Sequence, residues 1–218
     1  MLSAPQLAAG LLLALGHLGT GLEGAATQCQ TLNSVPADLL AKATAEPLIT
    51  METQPGSSLR VSTVVTRIDA PIELVFGIVT DHDAFARMFD EVRQSLTVGA
   101  EGTRRIVYMD IDMPFPVSNR RYEIELEQSR SGPTERPCWE SYWHYLPGSG
   151  NIEANHGRWE LIGDGPSTWL AYVAFVDPGG HVPSWTVNWA TRKVLPGMIE
   201  SVRQEARKRL RDLGAPAR

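Results

Sequence analysis

The chain has 218 residues, 43% of them hydrophobic and 21% charged, with a formal net charge of -5. That suffices for one globular domain with a sizeable core. The acidic balance excludes the basic footprint that a nucleic-acid binder sets against phosphate. Only Cys29 and Cys138 carry thiols, in no zinc-ligand spacing, so no metal is expected.

The N-terminus differs from the rest. No Lys or Arg precedes Lys42, residues 7–18 are nearly all apolar, and Gly24-Ala25-Ala26 follows. A short apolar core ending in small residues reads as a secretory leader cut after Ala26. The run is shorter than the ~20 residues of a membrane span. The expected division is 1–26 leader, 27–45 extension with a short helix, 46–213 main domain, and 214–218 tail. An exported protein, periplasmic or secreted, follows; an uncleaved N-terminal membrane anchor is the alternative. In an oxidising compartment Cys29 and Cys138 are free to pair. Two separate thiols are the simpler expectation.

Ser34-Val-Pro-Ala-Asp38 reads as a helix start capped by Ser34, running to about Thr44. Residues 48–53 and 59–68 read as strands around the turn at 54–58. The second shows little difference between its two faces. Asp69-Ala-Pro71 opens a helix, with Asp69 as cap and Leu74, Val75, Ile78 and Val79 on one side. Asp81-His-Asp83 recaps the chain for a second short helix through Phe85, Met88 and Phe89.

Strands dominate from Val92 to Asp177. Val107, Met109, Ile111 and Met113 alternate with Ile106, Tyr108, Asp110 and Asp112. Arg120, Tyr122, Ile124 and Leu126 alternate with Arg121, Glu123, Glu125 and Glu127. Such alternation marks a sheet with one apolar face. Residues 138–146, 155–162 and 168–176 are further strands. Residues 183–213 read as a final helix of about thirty residues. Its interior Pro196 removes a hydrogen bond, and its basic second half reads as a solvated face.

Two stretches are distinctive: Pro114-Phe-Pro-Val-Ser-Asn-Arg-Arg-Tyr122, and Asp177-Pro-Gly-Gly-His-Val-Pro-Ser-Trp-Thr-Val-Asn188. They resemble the patterns PVSxRD and DPxGxxPxW of the START domain family. The string from Ile68-Asp-Ala-Pro71 to Val92 resembles the helix pair of the wider polyketide-cyclase and Bet v 1-like superfamily. The resemblance covers about residues 45 to 213. One departure is Arg121, which stands where the family pattern has an acid. The resemblance implies an α+β helix-grip fold, a curved antiparallel sheet wrapped around the long C-terminal helix. It also implies an internal cavity for a lipid, sterol or isoprenoid.

Arg120 shares an apolar strand face and must be paired, because a lone buried charge is costly. It anchors a ligand head group, or it is structural and bonded to backbone carbonyls, Asp81 or Asp83. Trp139, Trp143 and Tyr145 alternate with Tyr142 and His144, and one of these faces looks inward. Aromatic rings supply flat apolar walls with polar tips. The expected ligand-binding residues are Met109, Arg120, Tyr122, Tyr142, His144, Trp159, Tyr172, Trp185, Asn188 and Trp189. His144 is either a donor to a ligand hydroxyl or a satisfied core histidine.

No nucleotide-binding, zinc-protease or nucleophile-elbow motif is present. No catalytic residue and no cofactor are therefore expected. The resulting expectation is a monomer that binds and transfers a hydrophobic small molecule, with transient membrane contact and no nucleic acid. A cyclase or aromatase acting on a polyketide-like substrate in the same cavity is the alternative. Ligand entry is expected to move the linker Pro178-Gly-Gly180 against the loop 147–150.

Overall fold

A computed structural model of the chain describes residues 28–54, 56–113, 118–180 and 182–214. For Trp185 and Trp189 it describes only the backbone. The predicted leader therefore lies outside the described residues, as do the side chains of these two expected wall residues.

Two short helices come first, α1 (Gln30–Ser34) and α2 (Ala37–Ala43). Strands β1 (Leu48–Thr53) and β2 (Arg60–Ile68) follow, then α3 (Ile72–Val79), a 3-10 turn (His82–Ala84) and α4 (Phe85–Met88). The remaining strands are β3 (Val92–Glu101), β4 (Arg104–Ile111), β5 (Arg120–Ser131), β6 (Cys138–Tyr145), β7 (Ala154–Asp164) and β8 (Ser167–Asp177). Helix α5 (Ser184–Asp212) closes the domain. The eight strands form one antiparallel sheet in the order β1-β2-β8-β7-β6-β5-β4-β3. The order joins the first two strands to the last, so the sheet folds its middle strands to the far side and leaves β1 and β3 as edges.

The inner face follows from period-two alternation. Tyr122, Ile124 and Leu126 of β5 are buried, while Arg121 is exposed and Glu123, Glu125 and Glu127 are half-buried. Val64, Val107, Met109, Trp143, Trp159, Leu161 and Leu170 join them in the main core. Helix α5 adds Leu195, Ile199, Val202 and Ala206, four residues at helical spacing. Pro196 and its neighbour Gly197 are exposed, so the missing N–H falls on the solvent side and the helix runs on unbroken. In the basic half of α5, Arg207, Lys208 and Arg211 are exposed, as expected, and ion pairs not foreseen from the sequence run along it. Arg207 meets Glu200 at 3.1 Å, and Arg209 meets Glu205 at 2.8 Å and Asp81 at 3.0 Å.

The outer face has a cover of its own. Leu32, Val35, Leu39 and Ala43 of the N-terminal helices pack on Val65, Ile162 and Ala171. Both faces of β2 are thus buried, which explains why its sequence shows no sidedness. Cys29 and Cys138 form a disulfide with a Cα–Cα distance of 6.1 Å, correcting the expectation of two separate thiols. Pairing requires only that the strap lie across the outer face of β6, which spacing alone does not reveal. Beside the bridge, the wholly buried Glu160 caps α1 from another element. Its Oε1 accepts from Thr31 N (3.1 Å), Thr31 Oγ1 (2.6 Å) and Arg158 Nε (2.7 Å), and its Oε2 from Leu32 N (3.0 Å). A carboxylate at a helix N-terminus meets orphan donors and the positive end of the dipole.

Three predicted caps differ. Ser34 ends α1 rather than starting α2, and its Oγ donates to Thr31 O. Pro71, not Asp69, occupies the N-cap of α3, and Asp69 instead accepts from Ser167 Oγ. Asp81 makes no side-chain cap; it pairs with Arg209, and Asp83 accepts from Thr97 N at 2.7 Å. Each acid found a partner distant in sequence that a local reading does not see.

Candidate functional site

The candidate site is the inner face of β5–β8, in the main core to which α5 contributes Leu195, Ile199, Val202 and Ala206. At its rim stands Arg120. Its Nε donates to Pro178 O at 2.7 Å and its Nη2 to Gly179 O at 3.4 Å. Its Nη1 donates to Ser118 O at 2.6 Å and Ser118 Oγ at 3.1 Å. Of the two readings left open, carbonyl pairing is the one observed, and neither Asp81 nor Asp83 is a partner. The guanidinium clasps the linker that leads into α5, where Gly179 and Gly180 take φ of 68° and 70°. These are left-handed values that favour glycine.

Deeper in, three side chains form a buried chain of hydrogen bonds. Trp143 Nε1 donates to Asn155 Oδ1 at 2.9 Å, and Asn155 Nδ2 donates to Tyr122 OH at 3.0 Å. Gly157 makes this possible. A Cβ there would meet Val173 O and Ala174 Cα (3.0 Å) behind it, and Trp143 Cζ2 (2.5 Å) in front. Only a bare strand position lets the indole cross β7 and reach Asn155. Tyr172 stacks on Trp143 with centroids 5.7 Å apart, and lies 4.6 Å from Trp159. It is only half-buried although it sits on the inner face, so open space lies before it. Among the described residues its hydroxyl has no hydrogen-bond partner. Burial pushes Tyr122 up to about 12 and raises Tyr172 as well, with the nearby Tyr122 adding to the latter. Both phenols are therefore protonated at neutral pH. The hydroxyl of Ser141, wholly buried on the same face, also has no partner among the described residues.

The sheet brings Met109, Arg120, Tyr122, Trp159 and Tyr172 to this face. Tyr142 and His144 it does not. Trp143 and Tyr145 point inward with Leu126 and Ile124, their register partners, so the alternate residues of β6 point outward. His144 is exposed, 3.9 Å from Glu125. Tyr142 is held by Glu140 beside the strap, and burial raises it. Asn188 donates to Ser58 O at 3.4 Å, toward the β1–β2 turn rather than the interior. The loop expected to move, 147–150, is fastened to β5. Asn151 N donates to Arg121 O, Ser149 Oγ accepts from Glu123 N, and Gly150 packs directly on Arg121 O. The expectation missed Trp143, Asn155 and Gly157. A glycine inside a strand, two residues from a polar one on the same face, marks close approach and was the available signal.

A separate groove of about 410 Å³ lies outside the sheet between α4 and α5, lined by Arg87, Met88, Gln204, Arg207, Lys208 and Arg211, with Glu205 and Ser201. It is polar, unlike the aromatic inner face.

No family model matches the chain. Phosphatidylcholine transfer protein of Bos taurus is 25% identical over 134 residues, 55% of this chain and 60% of that protein. The chain thus spans about 60% of the length of that relative. A solved STAR-related lipid transfer protein from Xanthomonas axonopodis matches with a TM-score of 0.65 and 23% identity, over 74% of this chain and 98% of that one. These likenesses support a START domain, and the sheet with its long C-terminal helix matches the START/Bet v 1 helix-grip fold. The START fold also appears in the ZhuI aromatase/cyclase of a Streptomyces species, at a TM-score of 0.56 and 15% identity over 72% of this chain and 99% of that one. At that identity the likeness concerns the fold alone. In START terms, the sheet is the grip, α5 is the closing helix, and Arg120 joins the two.

Proposed function

We propose that this START domain binds a lipid-like molecule between the inner face of its sheet and α5, and carries it between membranes unaltered. The observation that carries the reading is the aromatic wall of Trp143, Trp159 and Tyr172, with Tyr172 half-buried and its hydroxyl without a hydrogen-bond partner among the described residues. Flat apolar walls with few polar groups suit a ligand held by burial of its surface, at ~25 cal/mol per Å². The names of the phosphatidylcholine transfer proteins and of the Xanthomonas protein support a lipid as that ligand. Of the polar groups named on the inner face, Tyr122 and Tyr172 are phenols that keep their protons, Arg120 is a guanidinium held largely by carbonyls, and Asn155 and Ser141 are neutral. That supports holding over proton transfer, which needs a group titrating near the working pH.

Protein purified from its own host should release a co-bound lipid into organic solvent, identified by mass spectrometry, and should move that lipid between donor and acceptor vesicles. Purified protein that carries no lipid and transfers none overturns the reading. Conversion of the extracted molecule during incubation would favour the cyclase alternative. We further propose that the protein is exported. The Cys29–Cys138 disulfide, which begins at the third residue after the expected cleavage site, supports this, since such bridges persist in oxidising compartments. N-terminal sequencing of native protein should find a start near Thr27; a retained Met1 on cytoplasmic protein overturns export.

A further inference from the structure

The chain Trp143–Asn155–Tyr122 has a fixed direction. An indole N–H only donates, so the Asn155 atom facing Trp143 must be the carbonyl oxygen. The other end of the amide is then the NH₂ group, which also only donates. Tyr122 OH receives that bond and cannot return one. Its own proton must go elsewhere, and among the described residues no acceptor takes it. The three side chains are each more than nine-tenths buried, so water does not satisfy that proton from the surface. An unmade buried donor is costly unless something fills the role.

We infer that Tyr122 is the donor that selects the ligand, and that the interior takes molecules presenting an uncharged, acceptor-only oxygen of the ester-carbonyl type to this hydroxyl. This rests on the lipid-binding reading above. Neighbouring residues sharpen the class. Four of the five N–H groups of Arg120 are committed to Ser118, Pro178 and Gly179, which leaves the rim cation engaged by backbone. Tyr172 stacks on the indole at the head of the same chain, with centroids 5.7 Å apart, and walls the space beside it. A ligand hydroxyl would bring a further proton into a site whose members are arranged to give protons. The phenol stays a donor across the physiological range, because burial holds Tyr122 up at about 12. Gly157 and Trp143 act through Asn155 as positioning residues, fixing the amide so that the phenol proton points away from it.

The test uses dioleoylglycerol and its diether analogue, which differ in their carbonyl oxygens, each delivered from cyclodextrin and followed by tryptophan fluorescence. The full chain should bind the diester about three- to tenfold more tightly, the range of one net hydrogen bond. Tyr122→Phe should bring diester affinity down to that of the diether and leave the diether unchanged. Asn155→Asp retains Tyr122 but offers it a carboxylate, which accepts from both Trp143 and the phenol. It should abolish the preference equally, an effect a bare structural role would not produce. Near-UV circular dichroism confirms that both variants keep their aromatic packing. Equal wild-type affinities, a preference that survives Tyr122→Phe, or one that survives Asn155→Asp overturns the donor assignment and leaves lipid binding standing. Failure to bind either lipid overturns both.

Discussion

Replacing Gly157 with Ala should open the site from behind. The added methyl would sit against Val173 O and 3.0 Å from Ala174 Cα, both backbone atoms of β8. That strand is paired on both sides, with β7 and with β2, so it has little room to retreat. The indole of Trp143, 2.5 Å away, must yield instead. Overpacking of this kind costs about 1–3 kcal/mol. Moving the indole also breaks its bond to Asn155 and leaves a buried acceptor unmade, a further ~1–3 kcal/mol. Lower entropy of the unfolded chain returns about 0.4–1 kcal/mol. The net loss is about 2–4 kcal/mol, which lowers Tm by roughly 5–15 °C in a domain of this size. Thermal melts with near-UV circular dichroism measure both the stability and the indole environment. Gly77→Ala is the control: it lies in α3 with open space around its missing Cβ, and should be neutral or stabilising by about 1 kcal/mol. A Gly157→Ala protein with Tm within 2 °C of wild type and an unchanged near-UV spectrum would refute the placement of Trp143 across β7, and with it the fixed direction of the hydrogen-bond chain.

Two further perturbations test the frame around the site. Cys29→Ser with Cys138→Ser opens a loop spanning 109 residues, and loop-closure entropy puts the loss at about 5 kcal/mol; urea unfolding measures it, and a loss below 1 kcal/mol would show that the strap needs no covalent tie. His82, buried with Nδ1 3.0 Å from Thr80 O, is pushed down by burial to about 4. The unfolded chain therefore binds the proton first, so His82 contributes stability above pH 6.5 that is lost as pH falls toward 4, about 3 kcal/mol in all. The difference between wild type and His82→Gln isolates this slope from Glu140, whose burial raises its carboxyl and acts in the opposite sense. Parallel stability curves for the two proteins across pH 4–7 would rule the contribution out.

Much of the frame was legible in the chain. β5 alternates apolar and charged residues because one face is dry and the other partly open to solvent, which sets its sidedness; β4 departs from this at Asp110, which is buried and paired with Arg121. The bounds of β1 and β2, the helix after Pro71 and the length of α5 followed from turn residues and periodicity. The START resemblance supplied the closing geometry that periodicity leaves open. What failed was local reasoning about partners: Asp69, Asp81 and Asp83 looked like caps because their sequence neighbours are helices. They bond instead to Ser167, Arg209 and Thr97, brought close only by folding.

The inward face of β6 shows the division most clearly. Alternation separates Trp143 and Tyr145 from Tyr142 and His144 without ambiguity, because successive strand residues point to opposite sides. It does not say which set is inside. Both sets are aromatic, since the inner face packs toward α5 while the strap holds part of the outer one. Only register with β5 and β7 chose the tryptophan face, by aligning Trp143 with Leu126 and Gly157. The same register joined Asn155 to Trp143 and Tyr122, residues 12 and 33 positions away. The sequence thus determined the elements and their two-sidedness, which depend on neighbours along the chain. Tertiary structure decided which side faces the ligand, which carbonyls hold Arg120 and which cysteine meets which, because those depend on strands paired across long stretches of chain.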